Sequence, residues 1–211
     1  MRPPLRLAIL LSGRGSNFQA IHEAIEGRRL DAEIVCVISN RPDARGIEKA
    51  REYGYDAHVI DHKAFANRAA HEKEVLRVLD AARPDYIALA GYMRLLSASF
   101  IDRFRHRIVN IHPSLLPSFP GVDAQAQALA YGVKVSGCTV HFVDENLDAG
   151  PILVQRAVEV REEDTADTLA ARILVEEHQA YVQALQKLAT RTYAIEGRRV
   201  VWSAAAEPPL S

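Results

Sequence analysis

Apolar and polar positions alternate between two rhythms along the first half of the chain. Short runs of apolar and β-branched residues predict strands over Arg6 to Leu11, Ile34 to Ser39, His58 to Ile60, Tyr86 to Ala90 and Arg107 to His112. Between them, apolar residues recur at helical spacing over Asn17 to Glu26, Arg45 to Tyr53 and Asn67 to Ala82. Strand, helix, strand in strict succession is the rhythm of parallel strands joined by crossover helices, so this half reads as doubly wound.

The rhythm changes after Pro120-Gly121. A helix-like stretch runs to Tyr131, and two longer strands, Val135 to Val143 and Pro151 to Val160, follow, joined by a short turn. Asp164 or Thr165 supplies a cap for a last long helix reaching about Thr190. A terminal strand, Arg198 to Trp202, precedes a proline-containing tail. The fold class is α/β, Rossmann-like, with a mostly parallel sheet, helices on both faces and a mixed C-terminal half. We expect a single domain over 1–211, divided into a phosphate-binding half, 1–105, and a catalytic half, 106–211. No repeat or linker interrupts it.

Composition narrows the function. The chain has 211 residues, 48% apolar and 25% charged, and Lys+Arg 26 against Asp+Glu 27 leaves a net charge of −1. That balance gives no electrostatic case for bulk nucleic-acid or anionic-membrane binding, so any anion must be held locally. Cys36 and Cys138 sit in apolar strand candidates without a CxxC or Cys/His pattern and read as two buried free thiols. The apolar run after Met1-Arg2-Pro3-Pro4 is too short for a signal sequence or a membrane span, which predicts a cytoplasmic protein.

Two segments carry candidate chemistry. The first strand runs into Ser12-Gly13-Arg14-Gly15-Ser16-Asn17 and then a helix. Small residues there let the backbone approach a phosphate, with the amides of Gly15, Ser16 and Asn17 and the positive end of the helix dipole aimed at it. A plain tight turn is the other reading. The loop lacks the third glycine of GxGxxG, and the second strand ends in Ser39-Asn40 rather than an acidic ribose ligand, which disfavours NAD; Arg41 leaves an NADP-dependent reductase or a nucleotide-binding module open.

The second segment is Ile108-Val109-Asn110-Ile111-His112-Pro113-Ser114. Asn110 and His112 are two apart on a strand, so both project from one face near its C-terminal end, where open α/β sheets bind ligands. A lone buried histidine is usually structural. Here the asparagine amide could donate to a developing oxyanion while the histidine donates or moves a proton, a pairing suited to acyl-type transfer. Asp148, in Asn146-Leu147-Asp148-Ala149-Gly150-Pro151, is the best carboxylate to tune the histidine, although alone it reads as a turn aspartate.

Taken in order, Leu11-Ser12-Gly13-Arg14-Gly15-Ser16-Asn17, Ala90-Gly91-Tyr92-Met93-Arg94, Asn110-Ile111-His112-Pro113-Ser114-Leu115-Leu116-Pro117, Thr139-Val140-His141-Phe142-Val143 and Leu147-Asp148-Ala149-Gly150-Pro151 resemble the phosphoribosylglycinamide formyltransferases of purine biosynthesis. The resemblance spans almost the whole chain. It implies transfer of the formyl group of 10-formyltetrahydrofolate, a cosubstrate rather than a tightly bound cofactor, to the amine of phosphoribosylglycinamide, with no metal. It also implies that Gly15, Ser16 and Asn17 hold the substrate phosphate. Arg68, Met93, Arg94, Leu95, Leu96 and the loop Asp144, Glu145, Asn146, Leu147, Asp148 line the folate site, which Asn110 borders. His112 becomes the catalytic histidine, and Asp148 the partner that keeps it charged and helps shuttle its proton.

The last helix offers an independent check. At about 100° per residue, Glu177 falls among Ile173, Leu174, Tyr181, Leu185 and Leu188 on the apolar face. A carboxylate there either keeps its head in water at a groove edge or needs a partner. The resemblance supplies one, the glycinamide amine, because Glu176-Glu177-His178 matches the family pattern. One departure is Asp123, where some members carry histidine. Sister enzymes that formylate methionyl-tRNA or hydrolyse formyltetrahydrofolate share the Asn-x-His and Asp arrangement; the expectation against them is that neither an RNA-binding nor a regulatory domain is added. Small-molecule substrates, and a monomer or homodimer without nucleic acid or membrane, complete the reading.

Overall fold

The computed structural model describes residues 3–203. In chain order the elements are β1 (Leu5–Leu11), α1 (Ser16–Glu26), β2 (Ala32–Ser39), α2 (Arg45–Glu52), β3 (Ala57–Val59), α3 (Arg68–Ala82), β4 (Tyr86–Leu89), α4 (Ala98–Arg103), β5 (Ile108–His112), α5 (Ala124–Tyr131), β6 (Val135–Phe142), β7 (Ile152–Glu159), α6 (Ala166–Thr190), β8 (Tyr193–Glu196) and β9 (Arg199–Trp202). All strands join one sheet in the order β3-β2-β1-β4-β5-β6-β7-β9-β8. The first five are parallel; β6 turns antiparallel to β5, and β7 antiparallel to β6. The doubly wound first half and the mixed second half are both as expected.

Alternation along β1 divides the core. Leu7, Ile9 and Leu11 join Phe18 and Ile21 of α1, Ile47 of α2 and Ile173, Tyr181 and Leu185 of α6 on one face of the sheet. Ala8 and Leu10 join Val75, Val78 and Leu79 of α3 and Phe100 and Ile101 of α4 on the other. Burial on both faces is why β1 is almost continuously apolar. Tyr181, fully buried, donates its hydroxyl between the Val109 (2.9 Å) and Leu89 (3.1 Å) carbonyls, tying α6 to the middle of the sheet.

Local signals set the helix starts. Asn67 accepts from Ala70 N at 2.9 Å ahead of α3, and Thr165 and Thr168 exchange reciprocal bonds ahead of α6, which makes Thr165 the cap. Three features differ from the sequence reading. α4, six residues long, lacks the length over which a period shows; it forms because Ser97 caps it and Glu72 of α3 accepts from Ser97 N at 2.8 Å. The terminal strand is half of a hairpin, β8 with β9. Residues 143–151 between β6 and β7 form a loop rather than a short turn. Met1, Arg2 and the proline-containing tail lie outside the described residues. Among those described, no helix is long and apolar enough to cross a membrane.

Candidate active site

The C-terminal ends of β1, β4 and β5 lie side by side, and the chain order reverses between β1 and β4, the place where such sheets form a crevice. Gly15 caps α1 with φ 74°, a left-handed conformation that carries no penalty only in glycine. A Cβ there would sit 2.8 Å from Cα of Gly46, whose amide donates to the Gly13 carbonyl at 3.0 Å. Backbone packs on backbone, and the first amides of α1 are left without helical partners.

The Asn17 side chain turns inward and its Nδ2 donates to Oε2 of Glu177 at 2.9 Å. The glycine loop and the last helix therefore meet, 160 residues apart in sequence. Burial pushes the Glu177 carboxyl up from its ordinary value, and the Asn17 bond partly opposes that. Asn17 Oδ1 is buried without a protein partner. Nearby, Ser12 Oγ bonds Asn40 Oδ1 and accepts from Met93 N at 2.8 Å, linking the ends of β1 and β2 to the segment after β4. Arg41, the residue that kept an NADP reading open, is paired with Asp43, Nε to Oδ1 3.0 Å.

The second cluster is built from β5, β6 and the 143–151 loop. Ile108 packs on the α3–α4 face while Val109 belongs to the α6 face, so Asn110 and His112 share the former. Across the antiparallel pair, Asn110 faces His141 and His112 faces Thr139. His112 is 4% exposed. Its Nε2 donates to the Phe119 carbonyl at 2.8 Å, because a carbonyl only accepts, and its Nδ1 lies 3.4 Å from Asp148 Oδ2. Both ring nitrogens face acceptor oxygens.

Asp148 adopts φ 49°, and its Oδ2 also accepts from Gly121 N at 2.8 Å, which ties the 143–151 loop to the proline-rich segment after β5. The loop can close this tightly because Gly150 lacks a side chain: a Cβ would come 1.8 Å from the Phe142 carbonyl. His141, whose place beside these residues sequence reasoning did not identify, is 2% exposed and lies with Nε2 3.4 Å from Asn110 Nδ2 and 3.8 Å from Asp148 Oδ1. Burial holds its proton affinity below that of an ordinary histidine. Its signal was available only through the β5–β6 register.

The remaining predicted residues lie in several segments. Met93 and Leu95 are largely exposed, Leu96 packs against the α3–α4 core, and the charge of Arg94 reaches Tyr92 and His71. Asp144 accepts from Asn146 N at 2.9 Å, and Glu145 lies 3.5 Å from Arg105. Leu147 is exposed, and its Cδ2 would lie 3.7 Å from a Cβ at Gly121. Arg68, exposed at the start of α3, makes no side-chain bond to any of the others. Asp123 precedes α5 in a left-handed conformation without capping it through its side chain. Cys36 and Cys138 are buried free thiols, both pushed up to about 12 chiefly by burial.

The formyl transferase family model matches residues 5–185. A phosphoribosylglycinamide formyltransferase from Bacillus subtilis is 41% identical over 183 residues, covering 87% of this chain and 94% of its own. The chain belongs to the phosphoribosylglycinamide formyltransferase family. The same segment occurs within larger relatives: a trifunctional purine biosynthetic protein of Drosophila melanogaster is 49% identical over 90% of this chain, which spans 14% of that protein's length. Among solved structures, glycinamide ribonucleotide transformylase 1 from Symbiobacterium toebii superposes with a TM-score of 0.92 at 46% identity, covering 96% of this chain and 95% of its own.

Proposed function

We propose that this formyltransferase moves the formyl group of 10-formyltetrahydrofolate to the amine of phosphoribosylglycinamide, in the cytoplasm. The observation that carries the reading is that α1 starts with free amides directly after β1, with the Asn17–Glu177 pair beside them, while His112, 3.4 Å from Asp148, ends β5, which only β4 separates from β1 in the sheet. The free amides at Gly15, Ser16 and Asn17 suit a phosphate. Glu177 Oε2 and the unpartnered Asn17 Oδ1 suit the substrate's N–H donors, the glycinamide amine among them. Arg68, Met93 to Leu96 and Asp144 to Asp148 flank the position assigned to the folate.

In the reaction, the neutral amine attacks the formyl carbon, and a C–N bond forms as the carbonyl oxygen takes negative charge. Asn110 Nδ2 and the His112 ring donate to that oxygen, with Asp148 balancing the imidazolium. Collapse breaks the bond from carbon to the folate nitrogen, which receives the proton the amine gives up. In the resting arrangement the Phe119 carbonyl occupies the His112 donor, so exchange of that acceptor for the formyl oxygen is part of the cycle.

The test is amine dependence. Deformylation of 10-formyltetrahydrofolate by the purified protein is expected only when phosphoribosylglycinamide is present. Equal deformylation without the amine would assign a hydrolase instead.

A further inference from the structure

We infer that His141 is a positioning residue that fixes which end of the Asn110 carboxamide faces the reacting formyl oxygen. This rests on the role given to Asn110 above. The two ends of a carboxamide are nearly the same shape but opposite in function: the nitrogen donates, the oxygen accepts. Flipped by half a turn, Asn110 would aim a lone pair at a developing oxyanion and oppose the charge it is meant to stabilise.

His141 removes that freedom through a short chain of bonds. Its Nδ1 lies 2.8 Å from the Phe142 carbonyl, which only accepts, so Nδ1 carries the proton. Burial disfavours a second proton against the pull of the Asp148 and Asp144 charges, with the His112 ring adding to the bias. Nε2 is then a bare lone pair. The Asn110 group 3.4 Å away must be Nδ2, donating one of its two hydrogens, and the second is left for the substrate. Because β5 and β6 pair directly at these two residues, the backbone holds both partners in register.

The neutral state of His141 also protects the neighbouring pair. A charged His141 would compete with His112 for Asp148, whose Oδ1 is 3.8 Å from His141 while Oδ2 is 3.4 Å from His112. As a neutral acceptor it leaves Asp148 to His112.

A set of variants and one spectrum test this. His141→Leu is expected to lower kcat by about 10 to 100-fold, less than complete loss of an oxyanion donor, with KM for phosphoribosylglycinamide changing less than about twofold. His141→Gln, which restores an acceptor, is expected to recover most of that loss. In an Asn110→Ala background, His141→Leu is expected to add no further loss, because the amide it orients is gone. Losses that multiply in full, or no loss in His141→Leu, would overturn the proposal. Should the leucine variant not fold, 15N spectra of the wild-type histidines decide: protonated Nδ1 and bare Nε2 at His141 near neutral pH support it, and the reverse tautomer or a charged ring overturns it. Near-normal turnover of Asn110→Ala alone would instead undo the assigned role of Asn110, an outcome separate from the tautomer reading.

Discussion

The two ends of the crevice are built differently. At the glycine loop the groups offered to a ligand are backbone amides, held by Gly15 and its contact with Gly46, and a side-chain partnership, Asn17 with Glu177, joins two helices. At the β5 end every functional group is a side chain, and Asn110, His112, His141 and Asp148 come from three segments whose mutual placement depends on an antiparallel register and a returning loop. The first end is suited to holding, since a phosphate does not change during the reaction. The second is suited to chemistry, since under the proposed mechanism its donors would face a charge that appears only in the transition state.

The contrast predicts different kinetic signatures. The largest effect belongs to the β5 end: His112→Ala should lose about 100 to 1,000-fold in kcat with the fold intact and the KM for phosphoribosylglycinamide little changed. Steady-state kinetics with circular dichroism of the same sample would check it, and near-normal turnover would break the comparison. At the other end, Gly15→Ala places a Cβ against Gly46 in a left-handed conformation, so KM should rise about tenfold or more, the equivalent of about 1.4 kcal/mol, while kcat at saturation falls much less.

Glu177→Gln sharpens the comparison from the stability side. Burial raises this carboxyl above its unfolded value, so its contribution favours folding in acid and is lost as the pH rises through the folded value. At neutral pH the amide variant, still able to accept from Asn17, should melt higher, by about 2 to 4 °C for each kcal/mol relieved, while turnover drops. A variant both less stable and fully active would contradict the assignment.

The smallest effect is global. His71, His141 and His178 have proton affinities lowered from 6.5 chiefly by burial. The unfolded chain takes up protons as the pH falls through about 6.5 while the folded chain resists, so this contribution is present above that pH and is lost below it. Denaturant unfolding at pH 7 and pH 5.5 should show lower stability at the acid value.

The same contrast explains what could be read from sequence. The glycine loop was legible because its residues are contiguous and its geometry follows from a strand entering a helix. Asn110 and His112 were legible from their spacing on one strand, and Glu177 from its position on an apolar helical face. His141 lies between the buried apolar Val140 and Phe142, and only the pairing of β5 with β6 sets it against Asn110. The Phe119 carbonyl that holds His112 is a backbone group, invisible in residue identity. α4 and β8 are too short to express a period and exist through tertiary contacts, Glu72 with Ser97 and Tyr193 with Trp202 among them.

The central claim is that the formyl group passes directly from folate to the amine. Supplying 10-formyltetrahydrofolate labelled with 13C at the formyl carbon, together with phosphoribosylglycinamide, measures this most directly by NMR of the products. The label should appear in the formylated glycinamide as fast as the folate is consumed. Label accumulating as free formate, at a rate indifferent to the amine, would contradict it.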